Sequence, residues 1–386
     1  MSSQPAMVTC PNCGQSVPEG NFCVRCGTDL SAGPARGRRT GYSAAPHEHR
    51  LLPHPISTLF PHLPRASVAS FRVALAGGTV IVVGLAAAGL FPLAFVAAAA
   101  LVPLLTVLYL YDVNLYEDEP LLVIGLTMLW GAATGLIVGL VAKTISPSDA
   151  TLFTHSLASR LLLRGLLVPA VSVGLMLAGP VLVLLPYHKF NDVLDGATFG
   201  AASAVTFLGT QALAQGFRNL EAGFRPVGSV SPWVGRLLGV AVAGPLIAAG
   251  AVGAAAGAFW LRYRAPVPDR RSLGVLSMPV VGVAFALALV IGAAVVQLYV
   301  GVWPALGAQV ALAAIALVAL RRVIHIGLLE ESLEVDIGPD IVCPNCGHPT
   351  PHHTFCINCG ISLRALPKGR GGTSPAMGGS PAGDPA

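Results

Sequence analysis

The sequence predicts an all-α polytopic membrane bundle of about eight transmembrane helices, with a small four-cysteine module near each end. Of the 386 residues, 54% are hydrophobic and only 11% are charged, whereas a soluble protein carries about 25% charged residues. The charged residues lie outside, or in short breaks within, an apolar block from Val73 to Leu320. That pattern is typical of polytopic membrane proteins, because hydrocarbon penalises charge.

The eight cysteines form four C-x-x-C pairs, two pairs in each module. Nine residues separate the inner cysteines of each module, and a shift of 333 positions overlays Cys10 on Cys343 and Phe22 on Phe355. Two such knuckles are typical of a tetrahedral zinc site with four thiolate ligands. The predicted ligands are Cys10, Cys13, Cys23 and Cys26 in the first module, and Cys343, Cys346, Cys356 and Cys359 in the second.

We therefore predict two structural Zn²⁺ ions, held by zinc ribbons at residues 1–30 and 341–363. Modules of this size bury too little apolar surface to fold alone, so metal binding must supply most of the folding free energy. Disulfides or a redox C-x-x-C pair are the alternatives, and the full four-cysteine set disfavours both. His348, His352 and His353 lie inside the second module, but four cysteines already complete the coordination of one ion.

The apolar block divides into eight spans, because about 20 apolar residues cross the hydrocarbon core. The stretch Val73–Tyr111 breaks at Phe91-Pro92 into two helices. The other spans are expected at 121–144, 161–187, 195–217, 237–260, 276–300 and 305–320. Span 195–217 is the most polar, so we expect it to face the bundle interior. Gly131, Gly135 and Gly139 recur every fourth residue in span 121–144, a spacing that permits close helix packing.

Polar segments surround the transmembrane domain, which we place at 73–322. Residues 31–72 are rich in Pro, Gly, Ser and Arg and are expected to be a disordered basic linker. Residues 323–340 are expected to be a juxtamembrane acidic segment that continues the last helix with a solvated acidic face. Residues 364–386 are rich in Gly, Pro and Ser and are expected to be a disordered tail.

The distribution of Arg and Lys predicts that both termini lie in the cytoplasm. The richness in Arg, Ala, Gly and Val favours a bacterial protein, so we expect the bundle in the bacterial cytoplasmic membrane. The linker, Lys189, the loop Arg262 to Arg271 and Arg321 would lie on the same side as the termini. A reducing cytoplasm also suits eight zinc-binding thiols. The expected partners are membrane lipids and a protein bound by the ribbons. The net charge of +5 includes no basic run dense enough to indicate nucleic-acid binding.

Two segments of the membrane block can be compared with a known protein family. The first runs from Tyr111-Asp112 to Glu119-Pro120 and leads into Trp130-Gly131-Ala132. The second runs from Phe190 to Gly196, with Asp192 and Asp195, and leads through Phe199-Gly200 to Phe207. Together these segments resemble the PrsW family of intramembrane metalloproteases, which cleave membrane-anchored regulators. The resemblance implies a related helical bundle.

The sequence departs from that family where its catalytic residues would lie. The helix before Asp195-Gly196 lacks the family's Glu-Glu-x-x-Lys motif, and Gln211 stands where a later glutamate is expected. From Leu237 to Leu320 there is no histidine, and the only acidic residue is Asp269. A hydrolytic metal site needs about three protein ligands around an open position. We therefore expect Asp192 and Asp195 to cap a helix.

These observations favour a non-catalytic scaffold or regulator in which cytoplasmic ribbons engage a partner protein or each other. A divergent PrsW-type protease is the alternative, and it would need unorthodox ligands such as His188, Asp192, Asp195 or Glu221. A small-molecule channel or permease lined by Thr206, Gln211 and Gln215 is a weaker one.

Overall fold

The structure is a computed structural model that describes residues 6–11, 13–31, 52–61, 65–114, 121–145, 161–185, 190–221, 230–265, 274–332 and 336–364. Within these residues nine helices form a bundle, and two short β-hairpins form the modules at its end. The strands are β1 (Met7–Thr9), β2 (Ser16–Pro18), β3 (Asp340–Val342) and β4 (Pro349–Pro351). Residues 365–386 of the predicted tail, and residues 32–51 and 62–64 of the predicted linker, lie outside the described residues.

The helices follow the predicted spans closely. They are α1 (Pro55–Leu59), α2 (Arg65–Ala87), α3 (Phe91–Asn114), α4 (Leu121–Ile145), α5 (the π-helical Leu161–Leu167 continued by Val168–Leu184), α6 (Val193–Glu221), α7 (Val230–Leu238, the π-helical Gly239–Ala243 and Gly244–Tyr263), α8 (Pro279–Tyr299) and α9 (Val302–Glu331). The π-helical turn of α7 lies directly before Pro245, whose ring removes one backbone donor.

Seven of these helices are long and apolar enough to cross a membrane, namely α2, α3, α4, α5, α7, α8 and α9. The remaining predicted span, 195–217, corresponds to α6. This helix is long enough, at 29 residues, to cross a membrane, but it is more polar than the other seven. Its Ala202, Ser203, Ala204 and Phe207 are fully buried. A helix enclosed by other helices needs no apolar face toward lipid, so its composition agrees with the predicted interior position.

Glycine allows α4 to lie directly against α6. A Cβ atom at Gly139 would lie 2.6 Å from the Cβ of Ala214, and one at Gly135 would run into the carbonyl oxygen of Phe207. The Thr210 hydroxyl donates a 2.9 Å hydrogen bond to the Ala132 carbonyl across the same contact. The four-residue glycine spacing therefore does set a close helix crossing, as the sequence predicts.

Small residues also bring α7 between α6 and α9. A Cβ atom at Gly200 would lie 2.7 Å from the Cβ of Ala256, and one at Gly250 would lie 2.9 Å from that of Ala316. The buried Trp260 indole donates a 3.1 Å hydrogen bond to the Phe190 carbonyl, just before α6 begins. The carboxyl end of α7 and the amino end of α6 therefore meet at the same end of the bundle.

Part of the predicted linker is folded, which corrects its boundary. Helix α2 begins at Arg65 rather than Val73, and α1 packs Ile56 and Leu59 into the bundle core. The ring of Phe60 lies 4.7 Å from that of Tyr109, centroid to centroid. Burial of these three apolar side chains gives residues 52–61 a fixed place that a Pro-rich composition alone does not predict.

Candidate metal centres

In the first module, one cysteine knuckle forms the turn between strands β1 and β2, and the second knuckle follows this hairpin. Strands β1 and β2 pair antiparallel with Val8 opposite Val17. After each C-x-x-C pair a glycine has positive φ, 70° at Gly14 and 68° at Gly27. Their backbone N–H groups donate to the carbonyls of Cys10 and Cys23, respectively, which closes each knuckle.

The second module repeats this arrangement. Strands β3 and β4 pair with Ile341 opposite Thr350, and Gly347 and Gly360 have φ values of 73° and 68°. The Gly347 N–H donates to the Cys343 carbonyl over 2.8 Å. The sequence duplication is therefore a structural duplication.

The four thiols of each module converge on one point. The sulfur atoms lie 3.6 Å apart for Cys10 and Cys26 and 3.9 Å for Cys13 and Cys23. In the second module the corresponding separations are 3.9 Å and 3.8 Å, for Cys343 with Cys359 and for Cys346 with Cys356. Within each module all four sulfur atoms lie within 4.8 Å of one another.

These separations fit a metal ion better than disulfides. A tetrahedral ion with metal–sulfur bonds of about 2.3 Å sets its sulfur ligands about 3.8 Å apart, whereas a disulfide requires about 2.05 Å. All eight cysteines are free thiols in the structure. Each cluster could therefore hold one tetrahedral metal ion, through the eight residues that the sequence predicts.

The surroundings of the thiols link metal binding to proton release. Hydrogen bonds with the neighbouring thiols of Cys13 and Cys26, together with burial, raise the pKa of Cys23 above its usual range. Hydrogen bonds with Cys356 and Cys359, together with burial, raise the pKa of Cys343 in the same way. Because a metal binds thiolates, an ion that enters either site displaces these protons.

The three histidines of the second module are not part of its metal cluster. The Nδ1 atom of His348 lies 2.9 Å from the Cys346 carbonyl at an exposed position. His353 is buried, and its Nδ1 atom lies 3.0 Å from the carbonyl of Val24 in the other module. His353 therefore has a structural position that the sequence analysis missed.

The two modules pack against each other through their second knuckles. The backbone N–H of Phe22 donates to the carbonyl of Ile357 over 2.8 Å, and the N–H of Phe355 donates to the carbonyl of Val24 over 2.9 Å. Phe22 corresponds to Phe355 in the repeat, and Val24 corresponds to Ile357. The two hydrogen bonds are therefore equivalent, and they relate the modules by a local twofold arrangement.

Each phenylalanine ring of this contact lies over a glycine of the other module. A Cβ atom at Gly27 would lie 3.2 Å from the Phe355 ring, and one at Gly360 would lie within 2.9 Å of several Phe22 ring atoms. Both glycines also have positive φ. Glycine is therefore required at both positions for two reasons: the knuckle needs a positive φ, and the contact between modules leaves no room for a side chain.

The paired modules also contact the end of α9. The Arg25 guanidinium donates a 3.1 Å hydrogen bond to the Ser332 carbonyl, and Leu329 and Ile337 pack against the buried cysteines of the first module. Glu331 contacts Arg364, which directly follows the second module and is the first residue of the predicted tail. Both modules therefore lie at the same end of the bundle, next to one another.

Glu331 corrects the prediction of a solvated acidic face at 323–340. The predicted helical extension is present, since α9 continues to Glu331, but this side chain is only 1% exposed. Its carboxylate accepts a 2.9 Å hydrogen bond from the Val193 N–H at the start of α6 and a 3.1 Å hydrogen bond from Arg364. The cost of burying this carboxylate is offset because the amino end of α6 and the Arg364 guanidinium both stabilise its negative charge.

Asp195 caps the start of α6, as predicted. Asp192 precedes the first residue of α6, and the Asp195 carboxylate accepts a 3.2 Å hydrogen bond from the Asp192 N–H. This is the reciprocal half of a capping box. His188 and the side chain of Glu221 lie outside the described residues, so the remaining ligands of the protease hypothesis stay predictions.

The hydroxyl groups of Ser203, Thr206 and Thr210 in α6 donate hydrogen bonds to backbone carbonyls. The Thr206 hydroxyl donates to the Ala202 carbonyl over 2.9 Å. Gln211 is half-buried and Gln215 is exposed, so the three residues proposed to line a channel differ in their environments.

Comparison of the chain with protein-family models, with curated proteins and with solved structures finds no match in any of the three. The resemblance to the PrsW family therefore depends on the two sequence segments alone.

Proposed function

We propose that this protein is a non-catalytic scaffold or regulator of the bacterial cytoplasmic membrane, in which two zinc ribbons form one protein-binding head on the cytoplasmic end of the bundle. The observation that carries this proposal is the position of the cysteine clusters. In the part of the chain that the structure describes, they are the two groups of three or more His, Cys, Asp or Glu side chains that could hold a metal, and both lie outside the spans at one end.

The coordination chemistry supports a structural role for the metal. Four thiolates fill a tetrahedral zinc ion and leave no open position for water or substrate, whereas catalytic zinc keeps one. Thiolates also suit zinc better than magnesium or calcium, which bind oxygen ligands. The eight cysteines would therefore hold two Zn²⁺ ions that fold the ribbons.

The basic residues support a cytoplasmic position for the head. Arg262 lies in the last turn of α7, Arg264 follows that helix, and Arg322 lies near the end of α9, so all three lie toward the end that carries the ribbons. Arg164 and Arg236 lie toward the other end. Short basic flanks remain preferentially in the cytoplasm, where a reducing environment also keeps thiols available to metal.

The proposal is tested by affinity capture of the full-length protein from solubilised membranes. Wild-type protein is expected to bind about two zinc ions per chain and to retain a partner protein that is lost after Cys10→Ser or Cys343→Ser. Ser16→Val, an exposed change on β2 of the first ribbon, is the matched control and should retain the partner. Equal capture by the wild type and both cysteine variants would refute the proposal.

A cell assay distinguishes the protease alternative. If Asp195 only caps α6, Asp195→Asn and His188→Ala should leave the processing of membrane-anchored regulators unchanged. Loss of processing in these variants, with protein levels maintained, would favour the divergent PrsW-type enzyme instead.

A further inference from the structure

The second knuckle of each ribbon is both a metal-ligand loop and the surface that meets the other ribbon. Val24 lies between Cys23 and Cys26, and Ile357 lies between Cys356 and Cys359. The carbonyls of Val24 and Ile357 accept the two hydrogen bonds that join the ribbons. The loop that wraps one ion therefore presents the acceptor for the other ribbon.

The donors of these hydrogen bonds are equally close to the metal ligands. Phe22 directly precedes Cys23, and Phe355 directly precedes Cys356. Phe355 and Val24 are both fully buried, so the N–H and carbonyl that they contribute are shielded from water. A knuckle that unfolds after losing its ion would leave a buried partner group in the other knuckle without its hydrogen bond.

A third pair of equivalent positions completes the contact. Gly20 and His353 correspond in the repeat, and each faces the middle of the opposite second knuckle. A Cβ atom at Gly20 would lie 2.8 Å from the Cβ of Ile357, and the Nδ1 atom of His353 lies 3.0 Å from the Val24 carbonyl. The first ribbon therefore has glycine where the space is closed, and the second has a ring that fills it.

We infer that the two ribbons are one another's binding partner and that the pair takes up its two metal ions as one cooperative unit, each filled site raising the affinity of the other. The inference rests on the proposed assignment of zinc to the cysteine clusters. Coupling between two sites requires an element that both ions stabilise, and the shared surface of the two second knuckles is that element.

The test is a zinc titration of the full-length protein in detergent under reducing conditions, with a chromophoric chelator as competitor. The wild type is expected to bind two ions in one steep step. Cys10→Ser should weaken zinc binding at the second ribbon by about tenfold, and Cys343→Ser should weaken binding at the first ribbon by the same factor, because coupling of binding free energies is reciprocal.

A substitution in the contact between the ribbons tests the coupling of the two sites without removing a metal ligand. Gly20→Val changes no ligand and has no positive φ to disturb, but its side chain would collide with Ile357. It should still bind two ions, in two shallow and independent steps. Ser16→Val, on the exposed face of the same ribbon, should bind like the wild type.

The outcomes are distinguishable. A wild type that binds two ions, together with unchanged zinc affinity at the intact ribbon of each cysteine variant, would overturn the inference and leave the zinc assignment standing. Protein that binds no zinc would overturn the assignment and the inference together. A Gly20→Val protein that keeps the steep wild-type step would also overturn the inference, since the contact would then carry no coupling.

Discussion

The carboxylate of Glu331 lies 3.1 Å from the guanidinium of Arg364, and this ion pair fixes the second ribbon to the end of the bundle. The Glu331 side chain is 1% exposed and that of Arg364 is 26% exposed. Water can therefore solvate the guanidinium in part, whereas the charge of the buried carboxylate depends on the ion pair. Arg364→Ala should destabilise the docked ribbon by about 2 kcal/mol, because a buried carboxylate keeps only the Val193 N–H. Thermal unfolding in detergent and proteolysis of residues 336–364 measure the effect.

Arg322 supplies the control for this change. It is exposed on the same helix end, and Arg322→Ala should leave the unfolding temperature within error. Equal effects of the two substitutions would show that Arg364 contributes only general surface charge.

Chelation should unfold the ribbons and leave the bundle intact. The buried cluster of the second ribbon consists of Cys343, Cys356 and Ile361, so most of its core is ligand. Without metal, residues 6–31 and 336–364 should become sensitive to protease, while the helical circular dichroism signal stays nearly constant. Added zinc should restore protection and magnesium should not, because magnesium prefers oxygen ligands. Ribbons that stay resistant to protease without metal would contradict this prediction.

Two glycines of α4 form a matched pair for the helix crossing. Gly135→Leu would drive a side chain into the backbone of Phe207 and should cost about 3 kcal/mol of bundle stability. Gly125 is exposed with no neighbour within 4 Å of an added Cβ atom, so Gly125→Leu should be close to neutral. Thermal or detergent-induced unfolding of the purified variants measures the difference, and two equally stable variants would argue against the close crossing.

Adjacent arginines on α9 test the anchoring of α1. The buried Arg321 donates a 3.0 Å hydrogen bond to the Leu52 carbonyl, whereas Arg322 is exposed. Arg321→Ala should release residues 52–61 and raise their hydrogen exchange by about tenfold or more, since a hydrogen bond from a charged group contributes about 1.5–3 kcal/mol. Arg322→Ala should leave exchange in this segment unchanged. Unaltered exchange in both would show that apolar packing of α1 is sufficient.

Local signals account for what the sequence predicts well. The two four-cysteine clusters follow from the cysteine spacing within each module, and most span limits follow from apolar length. The polar composition of α6 also identifies it correctly as an interior helix, because Ser203 and Thr206 would be costly toward lipid.

Contacts between distant residues account for what the sequence analysis missed. Glu331 is adjacent to Glu330 beside a membrane helix, a pattern typical of solvated charge, and its burial depends on Val193 and Arg364. The short apolar segment that contains Ile56 and Leu59 gives no clear helix signal, because its surroundings are rich in proline. One feature of the sequence points to the contact between the ribbons, namely the phenylalanine before the third cysteine of each module. Spacing alone does not show that each phenylalanine packs against the other ribbon.

Because the two ribbons pair with each other, their contact can form only after the second ribbon has been synthesised. The first ribbon leaves the ribosome about 333 residues before the second, which at about 5–20 residues per second is a delay of roughly 20 to 70 s. During that interval every membrane helix is inserted while the Val24 surface of the first ribbon stays uncovered. A polypeptide that stalls within the bundle keeps this surface open, and cellular proteases can recognise it as unfinished; a completed polypeptide hides it.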